Sequence, residues 1–145
     1  MSSTNIRPAI SEQDIRGCYP AMHQLRPTYS EAAFVKQAQN QIASGYQLAF
    51  IELDGSVHAV AGYRFLENLF WGKFLYVDDL VSAEAVRGQG FAGKLMDWLI
   101  EQARAAGCRQ LHLDSSVQRF NAHRFYFSKG MNITSHHFEL ALDAQ

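Results

Sequence analysis

The sequence predicts a mixed α/β fold, an antiparallel meander flanked by helices, on three observations. Two strand-like runs, "YQLAFIEL" and "VHAVAGYRF", are joined by Asp54-Gly55, the favoured pair for a tight hairpin, and a third run, "KFLYVDDLV", follows a turn over Asn68 to Gly72. Stretches with apolar residues at helical spacing stand before and after this meander. A glycine-rich segment, "RGQGFAGKL" at residues 87 to 95, joins the third strand to the helix behind it.

Each element has its own signal. A short apolar start at Arg7 to Ile10 reads as the first strand. Ser11 with Asp14 three residues on marks a capped helix start, and Ile15, Cys18, Met22 and Leu25 recur at helical spacing, with Pro20 set to kink or split the helix. After a loop at Arg26 to Tyr29, Ser30 opens a second helix carrying Phe34, Val35, Ala38 and Ile42 on one side, stopped by Gly45. Behind the glycine-rich loop, Leu95, Met96, Leu99, Ile100, Ala103 and Ala106 mark a buried stripe, and Gly107 is placed to end that helix in a left-handed conformation. "QLHLD" then reads as a strand, residues within Gln118 to Lys129 as a helix capped by Gly130, and residues within Ile133 to Leu142 as a last strand.

With 145 residues, no linker and no internal repeat, the chain reads as a single domain over residues 1–145, able to bury a full core without staples. Thirteen basic residues balance 14 acidic ones, so no global field points to nucleic acid or an anionic membrane. No segment approaches the length of an apolar membrane span, and the N-terminus does not read as a secretion signal. Cys18 and Cys108 sit in no C-x-x-C spacing, which argues against a disulfide framework or a zinc site and fits a reducing compartment. The expected location is cytoplasmic. Six histidines raise the question of a metal, but adjacent His136 and His137 in a strand would point to opposite faces, and no metal is expected.

Three phosphate-binding patterns overlie residues 87 to 95. Gly88, Gly93 and Lys94 fit the start of the triphosphate loop G-x-x-x-x-G-K-[ST], but the next residue is Leu95, which cannot hold magnesium as a hydroxyl does. Gly88, Gly90 and Gly93 fit the dinucleotide spacing, with Asp114 near the place of a ribose-binding acid. That pattern needs repeated βαβ units, whereas here the loop follows an antiparallel meander and only one further βα unit remains. The third pattern is R-x-x-G-x-A, from Arg87 through Gly90 to Ala92. Together with "LYVDDLV" before it, the amphipathic helix after it and N-x-x-x-F-Y-x-x-x-G at Asn121 to Gly130, it resembles the GNAT family of acetyl-coenzyme-A-dependent N-acetyltransferases. The resemblance covers most of the chain.

The resemblance implies a GNAT-type fold, in which the strands at 73 to 82 and 110 to 114 run parallel and splay apart to admit pantetheine. It implies acetyl-CoA as co-substrate, with the backbone N–H groups of Gln89, Gly90, Phe91, Ala92, Gly93 and Lys94 at the pyrophosphate, Gly88 giving close approach and Arg87 adding fixed charge. Leu80 and Val81 would offer backbone groups to pantetheine and the acetyl carbonyl, Asn121 would bond pantetheine, and Lys129 would meet the nucleotide phosphate. Tyr126 matches the tyrosine that protonates the leaving thiolate. Members often carry their base on the strand before the loop, at positions matching Phe74, Tyr76 and Asp78. Phe74 cannot serve, so Asp78 is favoured, directly or through water, with Asp79 as the alternative. By period two Phe74, Tyr76, Asp78 and Leu80 share a face, and Asp79 points away unless a bulge changes the phase.

The expected function is transfer of an acetyl group to a primary amine, a small cationic or peptide amine given the Asp78/Asp79 pair, by direct attack in a ternary complex. The competing reading is a non-catalytic acetyl-CoA sensor or interaction domain; retention of Asn121 and Tyr126 beside the loop favours the enzyme. Arg26, in the loop expected to line the acceptor site, would suit a substrate carboxylate. The apolar last strand and Phe70-Trp71 offer a contact for a possible homodimer.

Overall fold

The computed structural model describes residues 6 to 143. They fall into two compact units, one ending at Leu113 and one beginning at Asp114.

The first unit is a five-stranded sheet in sequential order, β1 (Ile6–Pro8), β2 (Gln47–Leu53), β3 (Ser56–Asn68), β4 (Gly72–Ser82) and β5 (Gln110–Leu113). β1 to β4 pair antiparallel, and β5 lies parallel to β4. The β2–β3 hairpin turns on Asp54 and Gly55, at φ 53° and 78°, the two positive values that the turn type favoured by this pair demands. Asn68 closes the β3–β4 turn by accepting the Trp71 N–H on its Oδ1 at 2.6 Å. Phe70 at that tip stays exposed, whereas Trp71 folds back and stacks on His112 of β5 with ring centres 3.7 Å apart.

The helix that Pro20 is set to kink or split is split, into α1 (Glu12–Gly17) and α2 (Tyr19–Leu25). The break falls at Cys18, and Pro20 sits in the first turn of α2, where its missing N–H costs no helical bond. Ser11 and Ser30 cap α1 and α3 (Glu31–Ile42) by accepting the N–H of Asp14 and Ala33, each cap contributing about 1 kcal/mol. Ile15, Cys18, Met22, Phe34 and Val35 from these helices form one buried cluster with Leu48, Phe50 and Val60 of the sheet. α4 (Phe91–Ala105) buries Leu95, Met96, Leu99 and Ala103 of the predicted stripe, while Ile100 and Ala106 at its margin are half-buried. It lies on the other face, where Tyr63 meets Trp98 edge-on at 5.9 Å. Gly107, at φ 79°, ends it in the expected left-handed conformation. None of the described helices is long and apolar enough to cross a membrane.

The second unit holds α5 (Phe120–Ser128), followed by Gly130 at φ 85°. The last strand expected within Ile133 to Leu142 does not form; among the described residues these belong to no strand, and Ile133, Phe138, Leu140 and Leu142 are exposed. Alternation of apolar residues gives a strand its face, but a strand exists only where a neighbour takes up its N–H and C=O groups, and no described strand does so here.

Candidate active site

β4 brings the first site elements together because its pairing is broken on both edges. Against β3 the register slips: Gly62 pairs with Asp79 and Tyr63 with Val77, leaving Asp78 as the extra residue of a bulge. A bulge restarts the two-residue alternation, so Asp78 and Asp79 reach the same face, and both line one hollow of about 300 Å³ with Arg26, Tyr46 and Arg64. Leu80, opposite Ala61, turns to the other face, so the regular alternation that grouped it with Asp78 does not hold. Against β5 the ladder runs only from Phe74 to Val77, while β4 continues to Ser82. Over residues 78 to 82 that edge has no strand partner among the described residues, and alternate N–H and C=O groups of the Leu80–Val81 segment point along it.

The bulge also decides what the two aspartates bond. Asp78 accepts from Arg64 at 2.7 Å (Nη2 to Oδ2) and 3.0 Å (Nε to Oδ2), with a longer shared contact of 3.2 Å to Oδ1. Burial nevertheless pushes the Asp78 carboxyl above its ordinary value, with the Arg64 guanidinium opposing that rise. Asp79 accepts from Arg26 Nε at 2.9 Å on one oxygen and from the Tyr46 hydroxyl at 2.8 Å on the other. Arg26 Nη2 also donates to the Asp78 carbonyl at 3.0 Å. Tyr46 is itself buried, which holds its phenol well above the usual range, and Asp79 adds to that shift.

The glycine-rich loop follows a single 3-10 turn over Glu84–Val86. Gly88 and Gly90 both have φ 87°, and Gly90 is the residue from which α4 starts. That left-handed start costs a residue with a Cβ about 1–2 kcal/mol. Gln89 N–H donates to Val86 O at 3.2 Å, and Lys94 N–H makes the first helical bond, to Gly90 O at 3.0 Å. Among the described residues the N–H groups of Gly88, Gly90, Phe91, Ala92 and Gly93 make no such bond, and those of residues 91 to 93 belong to the first turn of a 15-residue helix, where the dipole favours an anion. Phe91 fixes the helix start by stacking on His58 at 4.8 Å, and Lys94 Nζ lies 5.2 Å over the Phe91 ring. Arg87 extends toward α2, where Nη2 bonds Gln24 Oε1 at 3.3 Å. A larger hollow, about 510 Å³, is lined by residues including Arg7, Asp14 and Glu52, but Arg7 is already bonded to both acids, at 2.9 and 3.0 Å.

In the second unit the three expected residues share α5 or its end. Tyr126 is half-buried, and desolvation raises its phenol above the ordinary value, with Arg119 opposing. Asn121 Oδ1 accepts from Arg124 Nη1 at 2.8 Å, and Lys129 Nζ stands 6.0 Å over the Phe125 ring.

A parallel strand pair whose ladder stops part-way along β4 is followed by a row of N–H groups at a helix start, where an anion is favoured. The acetyltransferase (GNAT) family model matches residues 12–131. The chain belongs to the GNAT family. It is similar to the uncharacterized N-acetyltransferase YhdJ of Bacillus subtilis, 27% identical over 136 residues, 92% of this chain and 96% of that one. Over 66 residues it is 35% identical to the aminoalkylphosphonate N-acetyltransferase of Salmonella typhimurium, 46% of this chain and 43% of that one. Among solved structures it superposes on the aminoglycoside N-acetyltransferase AAC(6')-Iy in complex with CoA, with a TM-score of 0.82 at 14% identity, covering 96% of this chain and 94% of that one. GNAT membership makes the chain an acyltransferase of the N-acetyltransferase kind, as the resemblance of loop, strand and late helix implied. Tyr46 and Arg64, which line the hollow, and Gly62, which lies against Tyr46, carry no motif that singles them out in the sequence.

Proposed function

We propose that residues 1–145 form one N-acetyltransferase domain that moves the acetyl group of acetyl-CoA to a primary amine by direct attack in a ternary complex. The observation that carries this reading is the set of N–H groups of Gly88 and Gly90 to Gly93 without a bond among the described residues, behind a β4 strand whose β5 edge has no strand partner past Val77 and whose bulge against β3 carries Asp78. The relatives named for aminoalkylphosphonate and aminoglycoside acetylation share one feature of their acceptors, an amine.

Acetyl-CoA supplies an activated thioester; the protein supplies the rest. The N–H groups of Gly88 and Gly90 to Gly93, with Arg87 near them, hold the pyrophosphate, and a backbone N–H of the Leu80–Val81 segment faces the acetyl oxygen, where it stabilises developing negative charge. Asn121 bonds the pantetheine arm and Lys129 a phosphate. The acceptor amine, if its pKa is about 10.4, must lose a proton at neutral pH at a cost of about 4.6 kcal/mol. Asp78 takes that proton through water on Oδ1, the oxygen that Arg64 bonds least. Asp79 is less suited, since Arg26 and Tyr46 occupy both of its oxygens.

Asp78 must be ionised to accept, and burial raises its pKa, so turnover should fall with decreasing pH through a value above the ordinary carboxylate range. Asp78→Asn should lower kcat about 100-fold and abolish that acidic limb. A limb unchanged in the variant assigns the base elsewhere.

Thermal unfolding with acetyl-CoA, NADH and magnesium-ATP in parallel tests the ligand. At 100 times its Kd the true ligand adds about 2.7 kcal/mol of stability. Acetyl-CoA alone should stabilise the protein, and free thiol should then appear with some primary amine. Stabilisation by another nucleotide alone overturns the assignment, and binding without thiol release across a broad amine panel makes the domain a sensor.

A further inference from the structure

We infer that the acceptor is a small amine carrying an anionic oxyacid group, a carboxylate or phosphonate, and that Arg26 and Arg64 read that group. The inference rests on the acetyltransferase reading and narrows it. From the chain alone, two adjacent aspartates suggest a small cationic or peptide amine, and the folded site adds a cation to each of them. Arg64 holds Asp78 through two nitrogens, and Arg26 holds Asp79, so the four charges sum to zero. In each pair the acid is the inner member: the Asp79 and Asp78 side chains are 12% and 17% exposed, against 48% and 39% for Arg26 and Arg64. A molecule entering from solvent therefore meets guanidinium before carboxylate.

Arg26 uses Nε and Nη2, and Arg64 likewise uses Nε and Nη2. The Nη1 of each makes no hydrogen bond to protein among the described residues. Guanidinium donors left over in this way match the planar or tripod oxygens of an oxyacid and repel a second ammonium. A hollow of about 300 Å³ lies at the small end of ligand cavities, which suits an acceptor of amino-acid size.

Four amines with a common three-carbon spacer decide the matter: 4-aminobutyrate, 3-aminopropylphosphonate, propylamine and 1,3-diaminopropane. Their Kd values are measured by calorimetry on the full chain with coenzyme A present. At least one oxyacid amine should bind ten-fold or more tighter than propylamine, and the diamine no tighter. Whichever of the two oxyacids binds better names the group. Arg26→Gln and Arg64→Gln should each reduce the preference toward unity while acetyl-CoA still stabilises the variant, which shows that it is folded. Equal affinities across the wild-type panel, absence of binding by all four, or preference for the diamine overturns the inference. Thiol release is followed with the same panel and acetyl-CoA. Oxyacid amines that bind but release no thiol leave this inference standing and remove the transferase reading; release favouring the diamine does the opposite.

Discussion

Gly62→Ala is expected to destabilise the protein by about 3 kcal/mol, which lowers Tm by roughly 10 °C in a chain of this size. A Cβ built on Gly62 overlaps the hydroxyl and ring of Tyr46, a stiff side chain that is 4% exposed and held at its hydroxyl by Asp79. Displacing the phenol breaks its bond to Asp79 and strands one carboxylate oxygen that is mostly out of water. The cost is therefore overpacking together with a lost buried hydrogen bond, and both act through Tyr46. In a Tyr46→Ala background the same Gly62→Ala change should cost less than about 1 kcal/mol, a coupling that a double-mutant cycle on urea midpoints measures. Equal costs in both backgrounds would mean that the glycine serves the sheet and not the phenol.

The frame of this fold is local chemistry and was readable. Ser11, Ser30, Asp54-Gly55, Gly107 and Gly130 each act within a few residues, so the helix caps and turns follow from residue type. The parallel placement of β5 came only through the family resemblance, since periodicity says nothing of strand direction. The site was legible in part. Counting outward from the Asn68–Gly72 turn places Arg64 opposite Tyr76, hence diagonal to Asp78, a pairing available from the hairpin register alone. The Asp79 network is different: Tyr46 and Arg26 lie 33 and 53 residues from it, and only the bulge brings Asp79 to their face. A bulge leaves almost no mark in sequence, so the alternation that set Asp79 apart from Asp78 was reasonable and is reversed by one extra residue. The hairpin pair Arg64–Asp78 and the long-range pair Arg26–Asp79 together turn an apparent acidic patch into two neutral pairs. The strand expected over residues 133 to 142 fails for a related reason, because its pattern describes a face and carries no information about a partner.

Tyr126→Phe is expected to lower kcat about 100-fold, or about 2.7 kcal/mol at 1.36 kcal/mol per decade, while leaving the affinity for acetyl-CoA nearly unchanged. The reasoning starts from the leaving group. A coenzyme thiol ionises near 8.5 and a phenol near 10, so proton donation from Tyr126 is uphill, and desolvation raises the phenol further. Burial that weakens the acid also keeps it loaded: the phenol holds its proton through neutral pH and beyond the ordinary value, as the donor we propose for the thiolate must. Loss of the proton at higher pH removes the donor, so the wild-type rate should fall on an alkaline limb above about 10. Phenylalanine keeps the ring and its packing on α5 and removes only the hydroxyl, so the variant should fold, bind the coenzyme and lose that alkaline limb. A stability change without a rate change would make Tyr126 a packing residue, and unchanged turnover would send the search for the acid to another group.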